Sequence, residues 1–138
     1  DAARSIPADG VELAFVYFGF PDECAHRHGW MSPAYLEAVS NADACLGQVV
    51  AVLGEGSTVI VTADHGGHER SHGTDLPEDM TIPLVIAPPG GTALAEAGEI
   101  TEPVSILDVA PTIAGLLGIP VPEEWEGRGL GGRLQVTG

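Results

Sequence analysis

Hydrophobic and polar positions alternate along the chain in blocks that read as strands and helices in turn. "VELAFVYFGF", residues 11–20, is a continuous run of apolar, β-branched and aromatic residues closed by Pro21 and an acidic turn, the pattern of a strand buried on both faces. The period then changes. Between Ser32 and Gly54, Tyr35, Val39, Ala42, Leu46, Val49 and Leu53 recur at spacings of four and three, which marks one face of a helix. Ser32 reads as its N-cap, Pro33 as its first residue and Gly54 as its stop. "STVIVTA" (57–63) and "TIPLVIAPPG" (81–90) read as two more buried strands. "SILDVAPTIAGLLGI" (105–119) has the apolar spacing of a second helix, and Pro111 must then lie in its first turns, because deeper in it would break the hydrogen-bond ladder. The remaining tail, rich in glycine and proline, reads as surface loop.

Apolar strands alternating with helices predict an α/β fold with a mainly parallel sheet covered on both faces, in one domain over residues 1–138. Ligands of such sheets bind beyond the carboxyl ends of the strands. Polar clusters stand at both relevant places, "FGFPDECAH" after the first strand and "TADHGGH" after the second. Parallel strands would bring them out at one edge.

Composition narrows the ligand. With 20 acidic residues against five basic ones, all arginine, the formal charge is -15, which disfavours binding to nucleic-acid backbones or anionic membranes by charge alone. No apolar run approaches the roughly 18 residues that span a bilayer. Cys24 and Cys45 are too few for a disulfide framework and form no CxxC pair. No secretory signal opens the chain, and its first residue is aspartate, so the N-terminus reads as truncated and the expectation for localisation leans cytoplasmic.

Three of the five histidines fall in "ADHGGHERSHG". Asp22 and His26, four apart, share a face if the segment after Pro21 coils, which is the reach needed to hold a single cation. Asp64 and His65 are adjacent at the point where a strand breaks into Gly66-Gly67, and the glycines give the backbone freedom to turn both inward. His68 and His72 follow in the same loop. A mixed carboxylate and imidazole set suits zinc, or manganese or iron, and suits calcium poorly.

In this order, "PDECAHRHGWMSPAYLEAVSNADACLGQVV", "VIVTADHGGHERSHGTDLPEDMTIPLVIAPPG" and "VSILDVAPTIAGLLGIPVPEEWEGRGL" resemble the C-terminal half of the alkaline phosphatase superfamily, nearest its type I phosphodiesterase and nucleotide pyrophosphatase branch. The resemblance runs from about residue 11 to about 130. It implies a three-layer sandwich around the sheet, of which this chain is the C-terminal half, and a site for two divalent metals, zinc in the usual case with manganese as the alternative. Asp22, His26 and His72 would hold the first, with His68 in reserve for His72; Asp64 and His65 would hold part of the second. The nucleophilic threonine or serine and a further aspartate would come from the N-terminal half, so no catalytic residue is expected here and the fragment alone should be inactive. Ser32 is better explained as a helix cap.

As a whole enzyme the resemblance implies hydrolysis of phosphodiester or pyrophosphate bonds in a small-molecule or nucleotide substrate. A phosphomutase or sulfatase of the same superfamily is one alternative, and a metal-binding module without catalysis another. An exposed sheet edge where the other half would pack favours self-association. Two departures from the branch stand out: Ala25 where glycine is frequent, and His28-Gly29-Trp30 in place of a more usual glycine-proline.

Overall fold

The structure is a computed structural model and describes residues 5–6, 11–54, 56–87 and 99–131. The chain divides into two compact units, Asp1–Gly90 and Gly91–Gly138.

In the first unit, helix α1 (Phe20–His28) is followed through a tight turn by helix α2 (Pro33–Val50). Pro21 in the first turn of α1 sits where its missing N–H removes no bond, and Asp22 and Glu23 there oppose the helix dipole. The chain leaves α1 at Gly29, whose φ of 97° is a left-handed conformation that glycine adopts without strain. Ser32 caps α2 as expected, its hydroxyl accepting from the Tyr35 N–H at 3.2 Å. The two helices pack through small side chains: Cys24 and Ala25 of α1 and Ala38 of α2 are buried. Ala38 replaces Val39 in the inward stripe, which otherwise runs through the half-buried Tyr35, Ala42, Leu46, Val49 and Leu53 as the periodicity predicts. Helix α2 ends at Val50, before Gly54.

Strands β1 (Val59–Thr62) and β2 (Leu84–Ala87) pair antiparallel, with Val59 opposite Ala87 and Thr62 opposite Leu84. The one described pairing is thus antiparallel, where the sequence predicts a mainly parallel sheet. The connection between them doubles back on itself: Gly66 and Gly67 donate their N–H groups to the carbonyls of Asp79 and Glu78 at 2.7 and 2.8 Å, around the short helix α3 (Pro77–Met80). The two ends of the excursion therefore stay side by side, and the strands leave and enter in opposite senses. The strand expected to reach residue 90 is described to Ala87, and 88–90 lie outside the described residues.

The strand expected over 11–20 is not formed. Residues 11–19 carry neither strand nor helix, and Phe20 already belongs to α1. Strand formers make a strand only when a neighbouring ladder completes their hydrogen bonds, and among the described residues none lies beside this segment. Its large apolar side chains are correspondingly open, Phe15 to 89%.

In the second unit, Ser105 opens a 3-10 turn (Ile106–Asp108) that continues as helix α4 (Val109–Leu116). Ser105 and Asp108 form a reciprocal capping box. Pro111 lies in the first turn of α4, as the ladder argument requires, and is buried. The Asp108 carboxylate also accepts from the Arg128 N–H at 2.8 Å, while the Thr112 hydroxyl donates to the Asp108 carbonyl at 2.6 Å and accepts from the Leu130 N–H at 2.9 Å. Leu130 is thereby held almost without exposure, and Gly127 fits where any Cβ would overlap the Leu107 carbonyl.

Candidate metal centre

Helix α1 presents Asp22 and His26 one turn apart, and the loop after β1 carries His65 and His72 onto them. The geometry converges on a single atom, Asp22 Oδ1. The Nε2 atoms of His26, His72 and His65 lie 3.5, 3.8 and 3.9 Å from it. That oxygen is buried and accepts no hydrogen bond from any described group. A buried carboxylate oxygen left without a donor is costly unless a cation completes its shell.

Two of these histidines are held in the tautomer that ligates through Nε2. His26 Nδ1–H donates to the Arg70 carbonyl at 3.0 Å and His65 Nδ1–H to the Gly66 carbonyl at 2.7 Å. With Nδ1 carrying the proton, each Nε2 keeps its lone pair, and that atom faces Asp22. One carboxylate oxygen of Asp22 and one ring nitrogen each from His26 and His72 all lie within 4.8 Å of one another. A tetrahedral cation with bonds of ~2.1 Å separates its ligand atoms by ~3.4 Å, so small side-chain movements close the set. One carboxylate with two imidazoles fits a borderline divalent ion such as zinc or manganese in its donor chemistry.

The structure thus brings Asp22, His26, His65 and His72 together. Asp64 stands at the rim, more exposed, with its Oδ1 3.8 Å from His65 Nε2. His68 points elsewhere. Its Nδ1–H donates at 2.7 Å to Asp79, a buried carboxylate that also accepts from the Thr74 N–H and hydroxyl, each at 2.8 Å. The His68 hydrogen bond, helped by Thr74, pulls Asp79 from the ordinary 3.8 down to about 2 against the opposing effect of desolvation. The same bond raises His68 above its ordinary 6.5. His68 and Asp79 together anchor the loop that carries His65 and His72.

The two glycines after His65 serve space rather than conformational freedom, which revises the expectation for them. Neither has a positive φ. A Cβ on Gly66 would meet the Glu78 carbonyl, and one on Gly67 would fall inside the indole of Trp30. Trp30, Thr74 and Asp79 escape a reading of the sequence for metal ligands because none is a ligand. For Asp79 the usable signal is its place one residue after Pro77-Glu78, in the first turn of a short helix.

Among known proteins, residues 1–79 match the family described as type I phosphodiesterase / nucleotide pyrophosphatase, a span that includes the whole cluster. The 2,3-bisphosphoglycerate-independent phosphoglycerate mutase of Desulforudis audaxviator is 40% identical over 125 residues, covering 86% of this chain and 23% of that protein. The enzymes of the same name from Rhodopirellula baltica and Prochlorococcus marinus are 36% identical over 136 residues and 29% over 146, covering 92% and 99% of this chain and 24% and 26% of theirs. The chain spans about a quarter of the length of these curated relatives. No solved structure matches it.

Proposed function

Since the chain belongs to the type I phosphodiesterase / nucleotide pyrophosphatase family, and through it to the alkaline phosphatase superfamily, we propose that it supplies the metal-ligand part of a phosphoryl-transfer enzyme of the phosphomutase kind, acting on a small phosphorylated acid. The observation that carries this reading is the convergence of His26, His65 and His72 on a buried carboxylate oxygen that lacks a hydrogen-bond donor. The choice of a mutase over a phosphodiesterase or pyrophosphatase is supported by relatives that are phosphoglycerate mutases over most of this chain. Among the sequence-based expectations, the mutase alternative is therefore favoured over the phosphodiesterase reading.

In this proposal Asp22, His26 and His72 hold one divalent ion, and Asp64 and His65 contribute to a second. When bound, such ions supply positive charge that stabilises a nucleophilic oxygen and a phosphoryl group in transfer. The chain's own residues present that site. Asp22 provides the anionic ligand. The Arg70 and Gly66 carbonyls keep His26 and His65 in the tautomer that offers Nε2. The His68–Asp79–Thr74 group fixes the loop between them. The nucleophile, and a three-layer sandwich with a mainly parallel sheet, belong in this reading to a longer polypeptide of which residues 1–138 form part of one catalytic domain.

A chimera tests the reaction. The Desulforudis mutase with its matching quarter replaced by this chain is expected to retain phosphoglycerate isomerisation, and the same chimera with Asp22→Ala is expected to lose it by at least ~100-fold. A correctly folded chimera that binds zinc, hydrolyses a chromogenic phosphodiester and does not isomerise phosphoglycerate would contradict the mutase reading and favour the phosphodiesterase one.

A further inference from the structure

The ring of His26 is oriented by a backbone hydrogen bond, whereas among the described residues no hydrogen bond holds the ring of His72. His72 is oriented by other rings. It stacks on His65 at 3.7 Å with 14° between planes, and Trp30 meets it edge-on at 5.8 Å and 71°. The same indole meets His26 edge-on at 5.3 Å and 87°, and lies 6.3 Å from the ring of Tyr35 on α2. The Trp30 ring therefore meets a candidate ligand on helix α1, one on the loop and a side chain of the neighbouring helix.

Its position is fixed from both sides. Its backbone N–H donates to the Glu69 carbonyl at 2.7 Å, which ties the end of α1 to the loop. Its six-membered ring occupies the space beside Gly67, where a Cβ would come within 2.1 Å of Cε2. Offset and edge-on aromatic contacts of this kind are directional, so they hold a ring plane as well as fill volume.

We propose that Trp30, seated on Gly67, is a positioning residue that orients His72 and His26 and so preassembles the cation site before any ion arrives. This inference rests on the metal-site reading. It assigns Trp30 no contact with the ion. Groups that orient metal ligands change affinity by about tenfold to a hundredfold when removed.

The test is a titration of the 138-residue chain with cobalt(II), followed by its visible absorption, on the parent and on Trp30→Leu, Trp30→Phe, Gly67→Ala and the Trp30→Leu/Gly67→Ala double variant, with helix content checked by circular dichroism. Trp30→Leu is expected to weaken cobalt binding by about tenfold or more at unchanged helix content, and Trp30→Phe to restore most of it by returning an aromatic edge. Gly67→Ala, which keeps the indole but places a methyl group in its seat, is expected to weaken binding similarly, with the double variant little worse than either single one because both act through one contact. In a Trp125→Phe background, cobalt is expected to quench the emission of Trp30. Parent-like affinity in Trp30→Leu or Gly67→Ala, or equal loss in Trp30→Phe and Trp30→Leu, would overturn the positioning role alone. A parent chain that binds no cobalt would overturn the site reading and this inference with it.

Discussion

Two carboxylates of the first unit show opposite solutions to the same problem. Asp79, 3% exposed, accepts three hydrogen bonds from His68 and Thr74 and is satisfied by the protein itself. Asp22 Oδ1 is buried with no donor, and the Nε2 atoms of His26, His65 and His72 surround it. The first arrangement builds structure and the second accepts a cation. The linkage of the His68–Asp79 pair to pH follows from the directions of its shifts. Asp79 is lowered from 3.8 to about 2, so its contribution is present above 3.8 and is lost as pH falls toward 2. His68 is raised above 6.5, so its contribution is complete below 6.5 and is lost as pH rises through its folded-state value. The stability difference between the chain and His68→Gln, measured by urea unfolding with a chelator present, is therefore expected to be greatest between about pH 4 and pH 6.5 and to shrink on either side. A difference that grows as pH rises above about 7 would contradict the assigned pairing. At this scale the ligand-type residues were legible, because aspartate and histidine after apolar runs stand out from ordinary turn residues. Trp30, Gly67 and Asp79 were not, since their roles depend on contacts across 37 positions for the Trp30–Gly67 pair and 11 for His68–Asp79.

At the scale of elements, local signals were reliable where the element stabilises itself. Ser32 and Pro33 start α2, Ser105 and Asp108 cap the turn into α4, and Pro111 sits where its ring is tolerated. Helical hydrogen bonds close within the segment, so sequence-local chemistry decides them. Strands depend on partners, and two of their features lie beyond local sequence. The apolar run at 11–20 has every residue a buried strand wants, yet residues 11–19 stay open for lack of a neighbouring ladder. The direction of β2 was set by the doubled-back loop through Gly66, Gly67 and α3, which periodicity cannot show. In the second unit, the bond from Leu130 N–H to the Thr112 hydroxyl holds Leu130 against α4. Thr112→Val keeps the shape and removes the acceptor, leaving a buried N–H unsatisfied, and is expected to destabilise that unit by about 1–3 kcal/mol. Thermal unfolding of the variant checks this; an unchanged midpoint would show that the hydroxyl carries nothing.

Over the whole molecule, the formal charge of -15 and the cluster of histidines work in one direction. A strongly acidic chain attracts cations and repels phosphate, so an anionic substrate is accommodated only where bound cations reverse the local field. Composition makes that legible, together with the weak prospect of nucleic-acid binding. Among the described residues no helix is long and apolar enough to cross a membrane. The family was legible from the order of its motifs, whereas the reaction was not, because metal ligands alone do not say whether a phosphate ester is cleaved or its phosphoryl group moved.

In the proposed reading, Asp22 and the histidines around it form a cation site already assembled in this chain. The most direct test is zinc content by mass spectrometry after exhaustive dialysis, on the chain and on Asp22→Ala. About one zinc per chain, lost in the variant, is the result expected of a site with one carboxylate and two imidazoles. A parent chain free of zinc, or an Asp22→Ala chain that keeps it, would contradict a preassembled site at Asp22.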